Sequence, residues 1–86
     1  MPKVEIYTWS FCPFCTRAKK LLENKGVHYT EYNISGNDEE RDKMTKRANG
    51  HRTVPQIFID DQHIGGCDEL HELEDKGELD ALLKQA

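Results

Sequence analysis

The first 34 residues read as strand, helix and strand with almost nothing between them, and that spacing constrains the fold more than any other feature of the chain. "KVEIYT" (Lys3 to Thr8) alternates and is rich in β-formers, so it reads as a strand. From Pro13 the apolar residues Phe14, Ala18, Leu21 and Leu22 recur at i, i+4, i+7 and i+8, which is one face of a helix. Gly26 follows where a helix C-terminus favours positive φ. "VHYTEYNI" (Val27 to Ile34) is a second strand. Two strands joined through one helix this tightly pair in parallel, through a right-handed crossover.

The remaining 52 residues extend the pattern. "NDEERDKMTKRANG" places Asp38, Glu39 and Glu40 in a first turn and Lys43, Lys46 and Arg47 late, the charge order that a helix macrodipole favours. Beyond Met44 and Ala48 it has little apolar surface, so this helix is expected to lie mostly in solvent. "QIFID" (Gln56 to Asp60) reads as a buried strand, and "DDQ" as the turn into "HIG", giving a hairpin. After Gly65-Gly66, the leucines at 70 and 73, then at 79, 82 and 83, mark two closing helical segments separated by Gly77. The expected order is β-α-β-α-β-β-α with a final helical turn or two, without repeat, linker or low-complexity tract.

A chain of 86 residues has room for one core, so residues 1–86 are expected to form a single domain. No apolar run approaches the ~20 residues needed to span a bilayer. "MPKVEIYTW" carries polar and acidic residues where a signal peptide is apolar, so a cytoplasmic location is expected. Net charge is −4, unevenly spread: residues 1–52 hold 10 basic and 7 acidic residues, residues 53–86 hold 2 and 9. A mixed surface of this kind argues against a nucleic-acid module, which needs a concentrated basic face.

Cys12 and Cys15 stand where the first strand gives way to the first helix. Three readings compete for a Cys-x-x-Cys pair: a structural disulfide, half of a metal site, or a redox dithiol. A reducing compartment and an odd count of three cysteines weaken the first. His63, Cys67 or His71 could complete a zinc site, but no second short-spaced knuckle is present. The third is favoured by Pro13, a residue preferred at the first helical position, because it puts Cys12 at or next to the N-cap. Unpaired backbone N–H groups and the positive dipole end there stabilise a thiolate. Cys12 is therefore read as the nucleophile, and Cys15, one turn inside, as the resolving thiol.

These residues resemble the two-cysteine class of glutaredoxins. "CPFC" (12–15) is similar to that family's Cys-Pro-Tyr-Cys, with Phe14 in place of tyrosine, and "TVPQIFID" (53–60) and "HIGGCDEL" (63–70) resemble two further signatures at the expected spacing. The resemblance covers essentially the whole chain. It implies an α/β, thioredoxin-like fold, a four-stranded mixed sheet flanked by helices. It also implies reduction of protein disulfides and glutathione mixed disulfides, with glutathione as electron-donating co-substrate and no metal. Glutathionylated or disulfide-containing proteins would be the partners, and a monomer is expected. By the same resemblance Pro55 is cis, and Val54 offers its N–H and C=O to the glutathionyl cysteine as an added strand would. Phe14 and Thr53 join Val54 and Pro55 as expected glutathione contacts. Cys67 and Asp68, opening the third helix, face the α-amino acid end of the γ-glutamyl group; a capping role for Asp68 alone is the plainer alternative.

Two other readings stay open: a thioredoxin-like protein reduced by a flavoprotein reductase, and a carrier of a glutathione-ligated iron–sulfur cluster, which "CPFC" disfavours. Cys67 reads as a small residue whose backbone serves a ligand. The four histidines are scattered and read as structural rather than acid–base groups. One departure from the family stands out. Many glutaredoxins carry a lysine three residues before the nucleophile, where this chain has Trp9; Arg17, Arg47, His51 and Arg52 are the expected substitute cations, and Trp9 itself a core residue or a surface for protein substrates.

Overall fold

The computed structural model describes residues 2–84. Strand β1 (Val4–Thr8) leads through α1 (Pro13–Asn24) to β2 (Thr30–Asn33) and α2 (Asp38–Arg47). The hairpin β3 (Gln56–Ile59) and β4 (Gln62–Gly65) follows, then α3 (Cys67–Asp75) and α4 (Leu79–Leu83). The sheet order is β2-β1-β3-β4, with β2 parallel to β1 and both β3 and β4 antiparallel to their neighbours. The four-stranded mixed sheet flanked by helices is thus present, in the expected order.

Alternation along β1 divides the molecule into two layers. Val4 and Ile6 point with Ile57 and Ile59 into an apolar core closed by Ala18 and Leu22 of α1, Cys67 and Leu70 of α3, and Leu79 and Leu83 of α4. Glu5 and Tyr7 are on the other side, under α2, which contributes Met44 and the following Ala48, both fully buried. There Glu5, only 3% exposed, accepts from Arg47 Nη2 at 2.6 Å, Arg47 Nη1 at 3.2 Å and the Tyr32 hydroxyl at 2.7 Å. The Arg47 guanidinium lies 4.0 Å above the centre of the Phe58 ring.

Three local expectations are corrected. β2 runs from Thr30 to Asn33 rather than from Val27 to Ile34: its first partner on β1 is Glu5, and β1 itself begins only one residue earlier, at Val4, so Val27 and His28 lie beyond the ladder. Val27 and Tyr29 still pack against the core. The buried stripe of α1 runs through Cys15, Ala18 and Leu22, so Phe14 is rotated off the core face and is 54% exposed. β3 ends at Ile59, and Asp60 and Asp61, at φ 50° and 65°, form the centre of the hairpin turn, the paired left-handed geometry that suits the twist of a two-residue loop.

Candidate functional site

Cys12 is the N-cap of α1 and Pro13 opens the helix, as the sequence predicts. The Cys12 backbone is extended and its Sγ accepts the Cys15 N–H at 3.2 Å, while its carbonyl takes the N–H of Thr16 at 3.1 Å. The sulfur therefore sits where the first free amides of the helix converge and where its dipole is positive. Cys15 is 1% exposed. Burial pushes its thiol up to about 12, with the adjacent Cys12 sulfur adding to the effect and the Trp9 backbone and Lys19 opposing it. Two thiols three residues apart are thus made unlike by position: one partly open and hydrogen-bonded, the other dry and held protonated.

Phe14, Thr53, Val54, Pro55, Cys67 and Asp68, together with Gly66 and Glu69, line one cleft of about 190 Å³. The Val54–Pro55 peptide is cis. Val54 lies outside the strands, and neither its N–H nor its C=O has a partner among the described residues. Across the cleft α3 begins, and the N–H groups of Cys67 and Asp68, as its first two residues, have no acceptor within the helix. The Gly66 N–H is already taken by Glu69 Oε1 at 2.7 Å. Gly65 has φ 120°, and a Cβ there would come within 2.9 Å of the Glu69 side chain, so the turn that presents α3 to the cleft requires glycine.

Cys67 is 4% exposed, and burial pushes its thiol up. Arg17 pulls it down, while Asp68, Cys12 and Glu69 push it further up. This is an unreactive environment for the thiol. Among the described residues no three histidine, cysteine or acidic side chains are grouped to hold a metal ion, so His63, Cys67 and His71 do not complete a site with the Cys-x-x-Cys pair.

The cations expected to replace a lysine at position 9 are mostly engaged elsewhere. Arg47 is committed to Glu5 and Asp61, and Arg52 pairs with Asp42 at 2.9 Å. His51 stacks near His63, with 5.9 Å between ring centres. Arg17, whose charge reaches Cys67, lines a separate groove between α1 and α3 with Lys20 and His71. The cation that does meet position 9 is Arg41, which sequence reasoning passed over: its guanidinium lies 4.4 Å from the Trp9 ring centre and its Nε donates to the Arg52 carbonyl at 3.0 Å. A cation four residues into an exposed helix carries no sequence signal of that contact.

The first turn of α1 thus brings together one partly open thiol and one buried thiol three residues on, the pairing that thiol–disulfide oxidoreductases use. Comparison with known proteins narrows the class. The family model "Glutaredoxin" matches residues 4–64. A probable glutaredoxin of Synechocystis sp. is 62% identical over 81 residues, covering 94% of this chain and 92% of the relative. Glutaredoxin 3 of Escherichia coli is 58% identical over 84 residues, covering 98% and 100%. Among solved structures, a buckwheat glutaredoxin–glutathione complex superposes with a TM-score of 0.83 at 31% identity, over 95% of this chain and 76% of the other. The chain belongs to the glutaredoxin family: it has the thioredoxin-like fold, redox-active cysteines and thiol–disulfide oxidoreductase activity.

Proposed function

We propose that the protein is a glutathione-dependent oxidoreductase that reduces glutathione mixed disulfides and protein disulfides through Cys12 and Cys15. The observation that carries this reading is the cleft itself. The unpaired N–H and C=O of Val54 offer one rung of a β-ladder to an extended ligand. The free N–H groups of Cys67 and Asp68, at the positive end of α3, suit a carboxylate, and the Asp68 carboxylate suits an ammonium beside it. A tripeptide whose γ-glutamyl end carries both charges fits that pairing, with Phe14, Thr53 and Pro55 as its walls. The glutathione bound by the buckwheat relative supports the same ligand.

In the proposed reaction the Cys12 thiolate attacks the glutathione sulfur of a mixed disulfide. A Cys12–glutathione disulfide forms and the protein leaves as thiolate, which takes up a proton. A second glutathione thiolate then attacks the glutathionyl sulfur on Cys12, releasing oxidised glutathione and restoring the Cys12 thiolate. With a protein disulfide, Cys12 becomes joined to the substrate. Cys15 must then lose its proton and attack Cys12 Sγ, freeing the reduced product and leaving a Cys12–Cys15 disulfide that two glutathiones reduce. The exposed Phe11 and Phe14 on either side of Cys12 give a protein substrate an apolar footing. A monomer acting in the cytoplasm completes the reading; no described helix is long and apolar enough to cross a membrane.

Kinetics of two variants, with glutathione and glutathione reductase as the recycling couple, test it. Cys12→Ser is expected to lose both activities, because the attacking sulfur is gone. Cys15→Ser is expected to retain deglutathionylation, since external glutathione resolves the intermediate, and to lose most protein-disulfide reduction. Turnover supported only by a thioredoxin reductase would replace the glutathione reading, and a Cys12→Ser protein that still turned over would reverse the two roles.

A further inference from the structure

The histidine on β4 is tied to the ligand loop by an unbroken run of side-chain hydrogen bonds. Asn49, just beyond α2 at φ 57°, places its Nδ2 3.2 Å from His63 Nδ1. His63 Nε2 is 2.7 Å from Gln56 Oε1. Gln56 Nε2 donates in turn to the Thr53 carbonyl at 3.0 Å and lies 3.4 Å from Thr53 Oγ1. With the amides oriented as they stand, a neutral ring satisfies all of these contacts. The Asn49 amide donates, so Nδ1 accepts; Nε2 then carries the hydrogen and donates to Gln56, whose amide nitrogen is left to hold Thr53. The carbonyl so held belongs to the peptide that leads into Val54.

We propose that neutral His63 is a positioning residue for ligand binding: it fixes the Gln56 amide and through it the Thr53–Val54 peptide at which the glutathionyl group pairs. This rests on the glutathione reading of the cleft. Protonation alters the outer link alone: an imidazolium donates from Nδ1, which the exposed Asn49 amide meets by turning its Oδ1 toward the ring, while Nε2–H keeps its bond to Gln56.

The surroundings keep the ring neutral at physiological pH. Burial lowers the His63 pKa from its ordinary 6.5, His51 lowers it further and Glu69 of α3 opposes them. The Phe58 ring, 5.2 Å away between centres, covers one side and brings no charge of its own. Gln56, buried to 3% exposure, has no alternative partner among the described residues for its Oε1 if His63 is lost. A second cavity, of about 290 Å³, lies between His51, His63 and Glu69 and shares Thr53, Gly66 and Glu69 with the cleft, so a displaced Gln56 amide has space to turn into.

The test compares His63→Phe, which keeps a ring of similar size without either hydrogen bond, with His63→Gln, which keeps one donor and one acceptor. At pH 7.5, His63→Phe is expected to raise KM for a glutathionylated peptide roughly 5- to 10-fold with kcat unchanged. His63→Gln is expected to recover most of that loss. Because Nε2–H donates to Gln56 whether or not the ring is charged, the KM ratio of His63→Phe to wild type should persist as the pH is lowered. In ligand-free protein the Val54 amide resonance should shift in His63→Phe and return toward its wild-type position in His63→Gln. An unchanged KM in His63→Phe, or a Val54 amide indifferent to that substitution, overturns the proposal. Failure of the underlying glutathione reading looks different: wild type itself would show no saturation with glutathionylated peptide at any pH.

Discussion

Trp9 stands where many glutaredoxins carry a lysine, and its ring brings a positive charge to that place by another route. An arginine over an indole face is held by the ring quadrupole, and the Arg52 carbonyl accepts the Arg41 Nε–H at 3.0 Å. Trp9→Lys therefore does not restore a missing cation: it removes the platform and sets a like charge against Arg41. KM for glutathionylated substrate is expected to rise about 2- to 5-fold, the loss of one cation–π contact, with Trp9→Phe losing less. A fall in KM on Trp9→Lys, read from the same steady-state assay, would show that the arginine does not serve this position. Phe11 poses the opposite case: a fully exposed aromatic at φ 59° immediately before Cys12, with neither its exposure nor its backbone accounted for by packing.

At the scale of elements, what could be read in advance was whatever periodicity and punctuation encode. The Pro13 start of α1, the β3–β4 hairpin with its aspartates at the turn, and the acidic opening and basic close of α2 all emerge from local pattern. The alternation in "VEIYT" already carried the one signal that pointed beyond local structure: an acid between two apolar residues in a central strand requires a buried partner. Which cation answers it was not legible, because Arg47 comes 42 residues later in a helix whose polarity reads as solvated surface. The Asn49–His63–Gln56–Thr53 run escaped for the same reason, being made by residues from a loop and two strands. The Gly65-Gly66 break was visible, but its cause is three-dimensional, since Glu69 folds back over that turn. Gly65→Ala is expected to displace Glu69, loosen the first turn of α3 and raise KM for glutathionylated substrate while Cys12 alkylates at an unchanged rate. Retained KM with a native melting temperature would mean that the turn tolerates a Cβ.

For the molecule as a whole, the sheet separates two kinds of adhesion. The α1, α3 and α4 side is held by apolar burial, whereas α2 rests on Met44, Ala48 and the Glu5–Arg47 pair. Arg47 holds the Glu5 carboxyl below the usual carboxylate range against the opposing effect of burial, with Tyr32 assisting. A carboxyl whose folded pKa is depressed stabilises fully above its unfolded value and loses that contribution as the pH falls through the folded one. Glu5→Gln is expected to cost on the order of 2 kcal/mol at pH 7, because Arg47 loses its buried charge partner and keeps only the exposed Asp61. The gap between variant and wild type in urea denaturation should narrow from pH 7 to pH 3; a constant gap would assign the loss to packing. The thiols are carried by the apolar layer, while the chain that runs from α2 through Asn49 to Thr53 and Val54 hangs from the ionic one. On the proposed reading, reactivity and ligand positioning are consequently separable: a change that loosens α2 is expected to leave Cys12 reactive while weakening the hold on glutathionylated substrate.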